Sequence, residues 1–163
     1  MACQAARNLI LAIPNSIAVV RPDNTILQEQ LTAEGLEVIT NLNYQQGMGS
    51  SIACGVMARP AAKGWVIALG DMPRIKVQTI TQVTEKINTG ELIAAPRTNQ
   101  QQGHPVGFSS AFRDDLLALN GPKGGRRILA DNINKISWVE VTDSGIHYDI
   151  DEPADILKKI ELT

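Results

Sequence analysis

The chain has 163 residues, 44% hydrophobic and 20% charged, the size and composition of one domain with an apolar core. Its 15 basic and 17 acidic residues leave a formal charge of -2, with no basic run interleaved with aromatics, which excludes nucleic acid as an expected partner. The apolar run Leu9 to Ile13 is closed by Pro14, far short of the roughly 20 residues of a membrane helix, and Cys3 and Cys54 stand in no metal or redox spacing; no membrane partner, two reduced thiols and a cytoplasmic location are expected.

Apolar residues at Ala6, Leu9, Ile10 and Ile13 recur at helical spacing, and Ile17 to Val20 then reads as a strand. Asp23 or Asn24 can cap a second helix through about Glu34, which Gly35 stops, and Leu36 to Thr40 gives a second strand. A loop from Asn41 to Gly49 leads into a helix beginning at Ser50 or Ser51. Gly64 to Leu69 is the strongest buried-strand candidate, broken by Gly70-Asp71-Met72-Pro73. A helix over Val77 to Asn88 precedes a strand at Leu92 to Ala95 and a Gln-rich loop. Beyond these the pattern predicts a strand at Pro105 to Phe108, helices near Ala111 to Leu119 and Arg126 to Asp131, a strand at Ser137 to Val141, and a last helix after Pro153. Strands alternating with helices predict an α/β doubly wound sheet, in which ligands sit beyond the carboxyl ends of the strands. The places to look are therefore Asn41 to Ser51, Gly70 to Pro73, and the turns after Ala95 and Val141.

Asp71 follows an apolar strand directly, with Gly70 leaving room for a ligand; a hard cation such as Mg²⁺ uses one or two such carboxylates plus water and phosphate. Asp71 could equally cap the turn or the next helix. Gly47, Gly49, Ser50 and Ser51 precede a helix and offer amides and hydroxyls to an anion, or merely a helix cap. His104, fixed before Pro105, is a candidate hydrogen-bond donor or proton carrier; His147 has less support. Lys123, Arg126 and Arg127 in a Gly-rich turn form either an anion cradle or a solvated basic turn. Asp149, Asp151 and Asp155 form either half of a metal site or a helix cap.

In this order the segments NYQQGMGSSIACG (43 to 55), LGDMP (69 to 73), GHPV (103 to 106), GPKGGRRIL (121 to 129) and DIDEPADI (149 to 156) resemble the MobA-like NTP transferases, especially the cytidylyltransferases that attach CMP to molybdopterin cofactor. The resemblance implies a three-layer Rossmann-like nucleotidyltransferase fold with a mostly parallel sheet. It implies Mg²⁺ on Asp71 and on Asp151, with Asp149 as competitor. Gly47, Gly49, Ser50, Ser51 and Gly70 would hold the nucleotide, CTP or GTP, while His104, Pro105, Lys123 and Arg126 would line the pocket for a molybdopterin-type acceptor.

Four features depart from the family pattern. Family members open with a strand and a loop resembling LAAGxSxRMGxxK, which holds the triphosphate, and Met1 to Ile13 resembles the helix after it. Residues 1–163 are thus expected to form a single domain lacking the usual first strand, with weak or absent CTP turnover and exposed strand edges that a homo-oligomer could cover. Pro122 stands where Asp is usual, Gly125 where Ala is usual and Glu152 where Thr is usual. The alternatives to a cytidylyltransferase are a non-catalytic nucleotide- or cofactor-binding remnant and a sugar-phosphate nucleotidyltransferase.

Overall fold

The computed structural model describes residues 1–149, so the expectations for Asp151, Asp155 and a helix after Pro153 lie outside the described residues. Helix α1 (Ala2–Ala12) leads to strand β1 (Ile17–Val20), helix α2 (Thr25–Ala33) to β2 (Glu37–Thr40), and α3 (Met48–Ala58) to β3 (Gly64–Ile67). After α4 (Val77–Asn88) come β4 (Ile93–Thr98), β5 (Gln101–Gln102), β6 (Val106–Ser109), the short helices α5 (Arg113–Leu117) and α6 (Arg126–Asp131), and β7 (Ile136–Glu140).

Local chemistry accounts for these boundaries. Asn24 starts α2 by accepting a hydrogen bond from the Leu27 amide (3.2 Å), as an N-cap side chain does. In α4, Ile80, Val83 and Ile87 repeat at three and four residues and are all buried, Val83 and Ile87 against the sheet and Ile80 with Met72, Ile75 and Leu9. The Gln-rich stretch expected as a loop is instead a tight hairpin: β4 runs on to Thr98 and β5 returns, because Asn99 (φ 49) and Gln100 (φ 66) both take the left-handed conformation that two-residue hairpin turns require. Polar side chains give that hairpin no hydrophobic alternation to announce it.

The strands form two sheets. β1 pairs with β2 in parallel, and a five-stranded sheet has the order β3-β6-β4-β5 with β7 on the other side of β4. β3, β4 and β7 share one direction, but β6 lies antiparallel between β3 and β4, so the large sheet is mixed where mostly parallel pairing is expected from sequence. The chain reaches β6 by the β4–β5 hairpin, and a hairpin return imposes the opposite direction.

Side chains alternate between two faces. Trp65, Ile93, Ala95, Phe108 and Ile136 face α3, α5 and α6, while Val66, Ala94 and Val139 face α4. On the small sheet Val20, Ala18 and Val38 pack on α1 and α2. Ile17 and Val19 turn the other way, toward Gly55 of α3. Three layers result, as a doubly wound architecture requires. Between β1 and β3, each with one edge unpaired among the described residues, lies a cleft of about 890 Å³. Both cysteines are free, and no described helix is long and apolar enough to cross a membrane.

Candidate functional site

Asp71 stands exposed just past β3, on a turn closed by the Met72 amide donating to the Leu69 carbonyl (3.3 Å). Its flanks are fixed. Met72 and Ile75 are buried with Leu9 of α1 and Ile13 just beyond it, and the Asn8 amide group donates to the carbonyls of Pro73 (3.1 Å) and Ile75 (3.0 Å). Among the described residues the Asp71 carboxylate takes part in no hydrogen bond or ion pair, which leaves its oxygens free for a ligand.

His104 enters the same region from the segment after β5. Its amide donates to the Ile146 carbonyl (3.0 Å), the His104–Pro105 peptide bond is cis, and Pro105 is fully buried. Among the described residues the buried ring atom Nδ1 has no hydrogen-bond partner, a costly condition that a bound polar group would relieve. Burial holds the imidazole below its ordinary pKa of 6.5; Asp71 and Asp149 oppose that shift, and Arg126 adds to it. His104 is therefore neutral near pH 7 and lies within electrostatic reach of two carboxylates and a guanidinium. Asp149, the one residue of the C-terminal acidic segment that is described, is exposed and acts electrostatically on His104.

The GMGSS and GPKGG segments interlock. The Gly49 amide donates to the Gly121 carbonyl (2.9 Å), and the Gly121 amide donates to the Gln46 carbonyl (2.6 Å). Gly47 has φ 86 and ψ -172, a conformation open essentially to glycine alone, and a Cβ there would lie 2.7 Å from the Gly121 carbonyl carbon. A Cβ on Gly49 would meet the Asn120 backbone at 2.7 Å. The glycines thus serve loop-to-loop packing. Ser50 is buried, its hydroxyl shared among the carbonyls of Asn43 and Gly47 and the side-chain amide of Asn41, while Ser51 receives a second Asn41 bond (3.1 Å) and borders the cleft between β1 and β3. Both hydroxyls hold the loop in shape. Lys123 and Arg126 are exposed and free of ion pairs among the described residues, whereas Arg127 pairs with Asp131 (3.5 Å).

Two polar residues that organise the region escape a reading by motif. Asn41, buried at the end of β2, accepts from the Asn43 amide (2.9 Å) while donating to both serines, so it shapes the whole GMGSS approach. Asp143, buried after β7, accepts from the Lys76 amide (2.8 Å), the Thr79 hydroxyl (2.7 Å) and the Gly145 amide (3.0 Å). It anchors the turn bearing Ile146 to the start of α4. Asp-Ser-Gly after a strand is the available signal, since such an Asp commonly accepts from the amide two residues on.

No group of three or more His, Cys, Asp and Glu suited to holding a metal occurs among the described residues. Asp71 and Asp149 are two carboxylates near one neutral histidine. That set fits a cation that takes its remaining ligands from phosphate and water rather than one caged by protein.

Comparison with known proteins agrees with this architecture. The model of the MobA-like NTP transferase domain matches residues 1–136. The chain is similar to the Rv0371c protein of Mycobacterium tuberculosis H37Rv, with a TM-score of 0.79 at 21% identity over 99% of this chain and 84% of that one. A manganese complex of the same protein gives a TM-score of 0.77 at 20% identity, covering 98% and 86% of the two chains. A nucleotidyl transferase from Methanothermobacter thermautotroptrophicus gives 0.78 at 16% identity, covering 96% and 77%. In sequence the chain is 22% identical over 125 residues to nicotine blue oxidoreductase of Paenarthrobacter nicotinovorans, spanning 72% of this chain and 61% of that protein. It is 27% identical over 109 residues to the bifunctional protein GlmU of Corynebacterium aurimucosum, spanning 66% of this chain and 22% of that one. The fold is that of Rossmann-like nucleotidyltransferases. The chain belongs to the MobA-like NTP transferase family.

Proposed function

We propose that the chain carries the site of a divalent-cation-dependent nucleotidyltransferase that moves CMP from CTP to a molybdopterin-type acceptor. The observation that carries this reading is the convergence of Asp71, Asp149 and Arg126 on His104, whose buried Nδ1 lacks a partner among the described residues. A terminal phosphate oxygen of the acceptor forms a bond to the α-phosphorus of CTP, the bond from that phosphorus to the β-phosphate bridging oxygen breaks, and pyrophosphate leaves. No covalent enzyme intermediate is needed, in keeping with a site of carboxylates, glycines and cations.

Asp71 would hold Mg²⁺ with Asp149 or Asp151, and the ion when bound would offset charge on the triphosphate. The manganese complex of Rv0371c supports a divalent ion in this fold without favouring Mg²⁺. The other residues bind and orient. Lys123 and Arg126 are placed to attract anionic groups of the acceptor, and neutral His104, set by Pro105, offers a hydrogen bond without adding charge. Gly47, Gly49 and Ser50 support the nucleotide indirectly by fixing the loop, with Ser51 and Gly70 nearer to solvent.

The test is pyrophosphate release from CTP with molybdopterin cofactor and Mg²⁺ or Mn²⁺, alongside calorimetry with CTP, GTP and ATP. Asp71→Asn should abolish transfer in an active form of the protein; unchanged turnover removes Asp71 from the reaction. The edges of β1 and β3 that are unpaired among the described residues favour a second reading, a nucleotide- or cofactor-binding protein without turnover. Saturable binding with no pyrophosphate release would select it. Preference for a sugar phosphate over molybdopterin would redirect the acceptor assignment.

A further inference from the structure

Asp71 and Asp149 stand on separate turns, and among the described residues neither carboxylate takes part in a hydrogen bond or ion pair. Two like charges without partners repel, so the side chains themselves do nothing to keep both facing one site. A small divalent ion asks for more, since its ligands must stand at about 2.0–2.1 Å in near-octahedral geometry. The separation of the two carboxylates is therefore set by what joins their turns.

The join is made by the segment 143–148. Asp143 ties its near end to the start of α4, accepting from the Lys76 amide (2.8 Å) and the Thr79 hydroxyl (2.7 Å). Gly145 then lies so close on the Arg74 backbone that a Cβ there would be 2.5 Å from the Arg74 carbonyl carbon. The Ile146 carbonyl receives the His104 amide (3.0 Å), and His147 Nε2 shares a hydrogen bond with the Thr98 hydroxyl (2.8 Å), which ties the segment to both sides of the β4–β5 hairpin. Last, the Arg74 guanidinium lies 5.0 Å from the centroid of the Tyr148 ring, within cation–π range. Arg74 thus meets the segment twice, with its backbone at Gly145 and its side chain at Tyr148. The first residue on one side of this clamp is Asp149, and Asp71 begins the turn on the other.

We propose that Arg74 is a positioning residue for the divalent cation: by holding the Tyr148 ring it keeps the Asp149 carboxylate within one ion's reach of Asp71. The inference rests on the reading of Asp71 and Asp149 as the cation's carboxylates. A positive charge beside a cation site by itself weakens binding, so the roles open to an exposed arginine here carry opposite signs. If Arg74 acts only through its charge, on the ion or on phosphate, removing that charge leaves the affinity for a bare cation unchanged or raises it. If Arg74 acts through position, removing it lowers that affinity.

Titration of the full chain with Mn²⁺ in the absence of nucleotide, read by EPR, separates the two. Arg74→Gln should weaken Mn²⁺ binding about threefold, the scale of an exposed cation–π contact, and Arg74→Lys, which keeps a cation over the ring, should restore most of it. Tyr148→Leu should weaken binding likewise and add little in the Arg74→Gln background, as for two residues that share one contact. Unchanged or tighter binding in Arg74→Gln, no recovery in Arg74→Lys, or additive losses in the double variant would overturn the inference. Asp71→Asn and Asp149→Asn serve as references. Loss of binding in the first with none in the second also ends the inference, while leaving the proposed function on Asp71. Absence of bound Mn²⁺ in the unaltered chain, or binding indifferent to both carboxylates, removes the cation reading itself and this inference with it.

Discussion

Asp71 and Asp143 are both carboxylates just beyond a strand, and their surroundings give them opposite tasks. Asp143 is buried and receives three hydrogen bonds, two from the start of α4. Replacing it by Ala strands a buried hydroxyl and two amides, and should lower stability by about 2–3 kcal/mol in urea denaturation. Asp71 is exposed and takes part in no hydrogen bond or ion pair among the described residues, so Asp71→Asn should leave stability within about 0.5 kcal/mol while removing transfer activity. The same variant reports on His104. Since Asp71 opposes the burial that depresses the imidazole, Asp71→Asn should move the His104 titration to lower pH, and Arg126→Gln should move it higher, both read by NMR. With its folded pKa below 6.5, His104 binds protons less readily in the folded state. Its stabilising contribution is then complete above pH about 6.5 and declines as pH falls toward the depressed value. His104→Gln should flatten the loss of stability measured as the pH falls below about 6.5.

At the level of elements, loop-to-loop packing around Gly47 and Gly49 carries more of the site's shape than hydroxyl contacts do. Gly49→Ala sets a methyl against the Asn120 backbone, which has no flexible tip to move aside, and should cost about 1–3 kcal/mol in thermal or urea unfolding. The regular elements are legible in the sequence where burial is periodic: Val77–Asn88 follows from Ile80, Val83 and Ile87, and β3 from its unbroken apolar run. The direction of β6 and the β4–β5 hairpin are not, because Gln-rich backbone turns through conformations that leave no apolar trace. The same division holds at the site. Asp71 and His104 are legible as motif residues, whereas Asn41 and Asp143 act through bonds to residues up to 67 positions away, which no local pattern records.

For the molecule as a whole, the division into a two-stranded and a five-stranded sheet sets the expected distribution of stability. A two-stranded unit offers few protected amides and little independent cohesion, whereas β4 is paired with three other strands. Native-state hydrogen exchange should therefore find β1 and β2 opening more readily than β4 and β7; equal protection would show that the helices weld the halves despite the cleft. The chain spans 61% and 22% of the two sequence relatives compared, so more of those proteins lies outside the shared fold than a substitution in this chain can probe. The mutual fit of the turns at Gly47 and Gly121 bears on how such proteins can be recombined. Transplanting residues 44–50 from a family member without its partner at 119–125 would leave a mismatched seam, so substrate preference should transfer between relatives only when both stretches travel together.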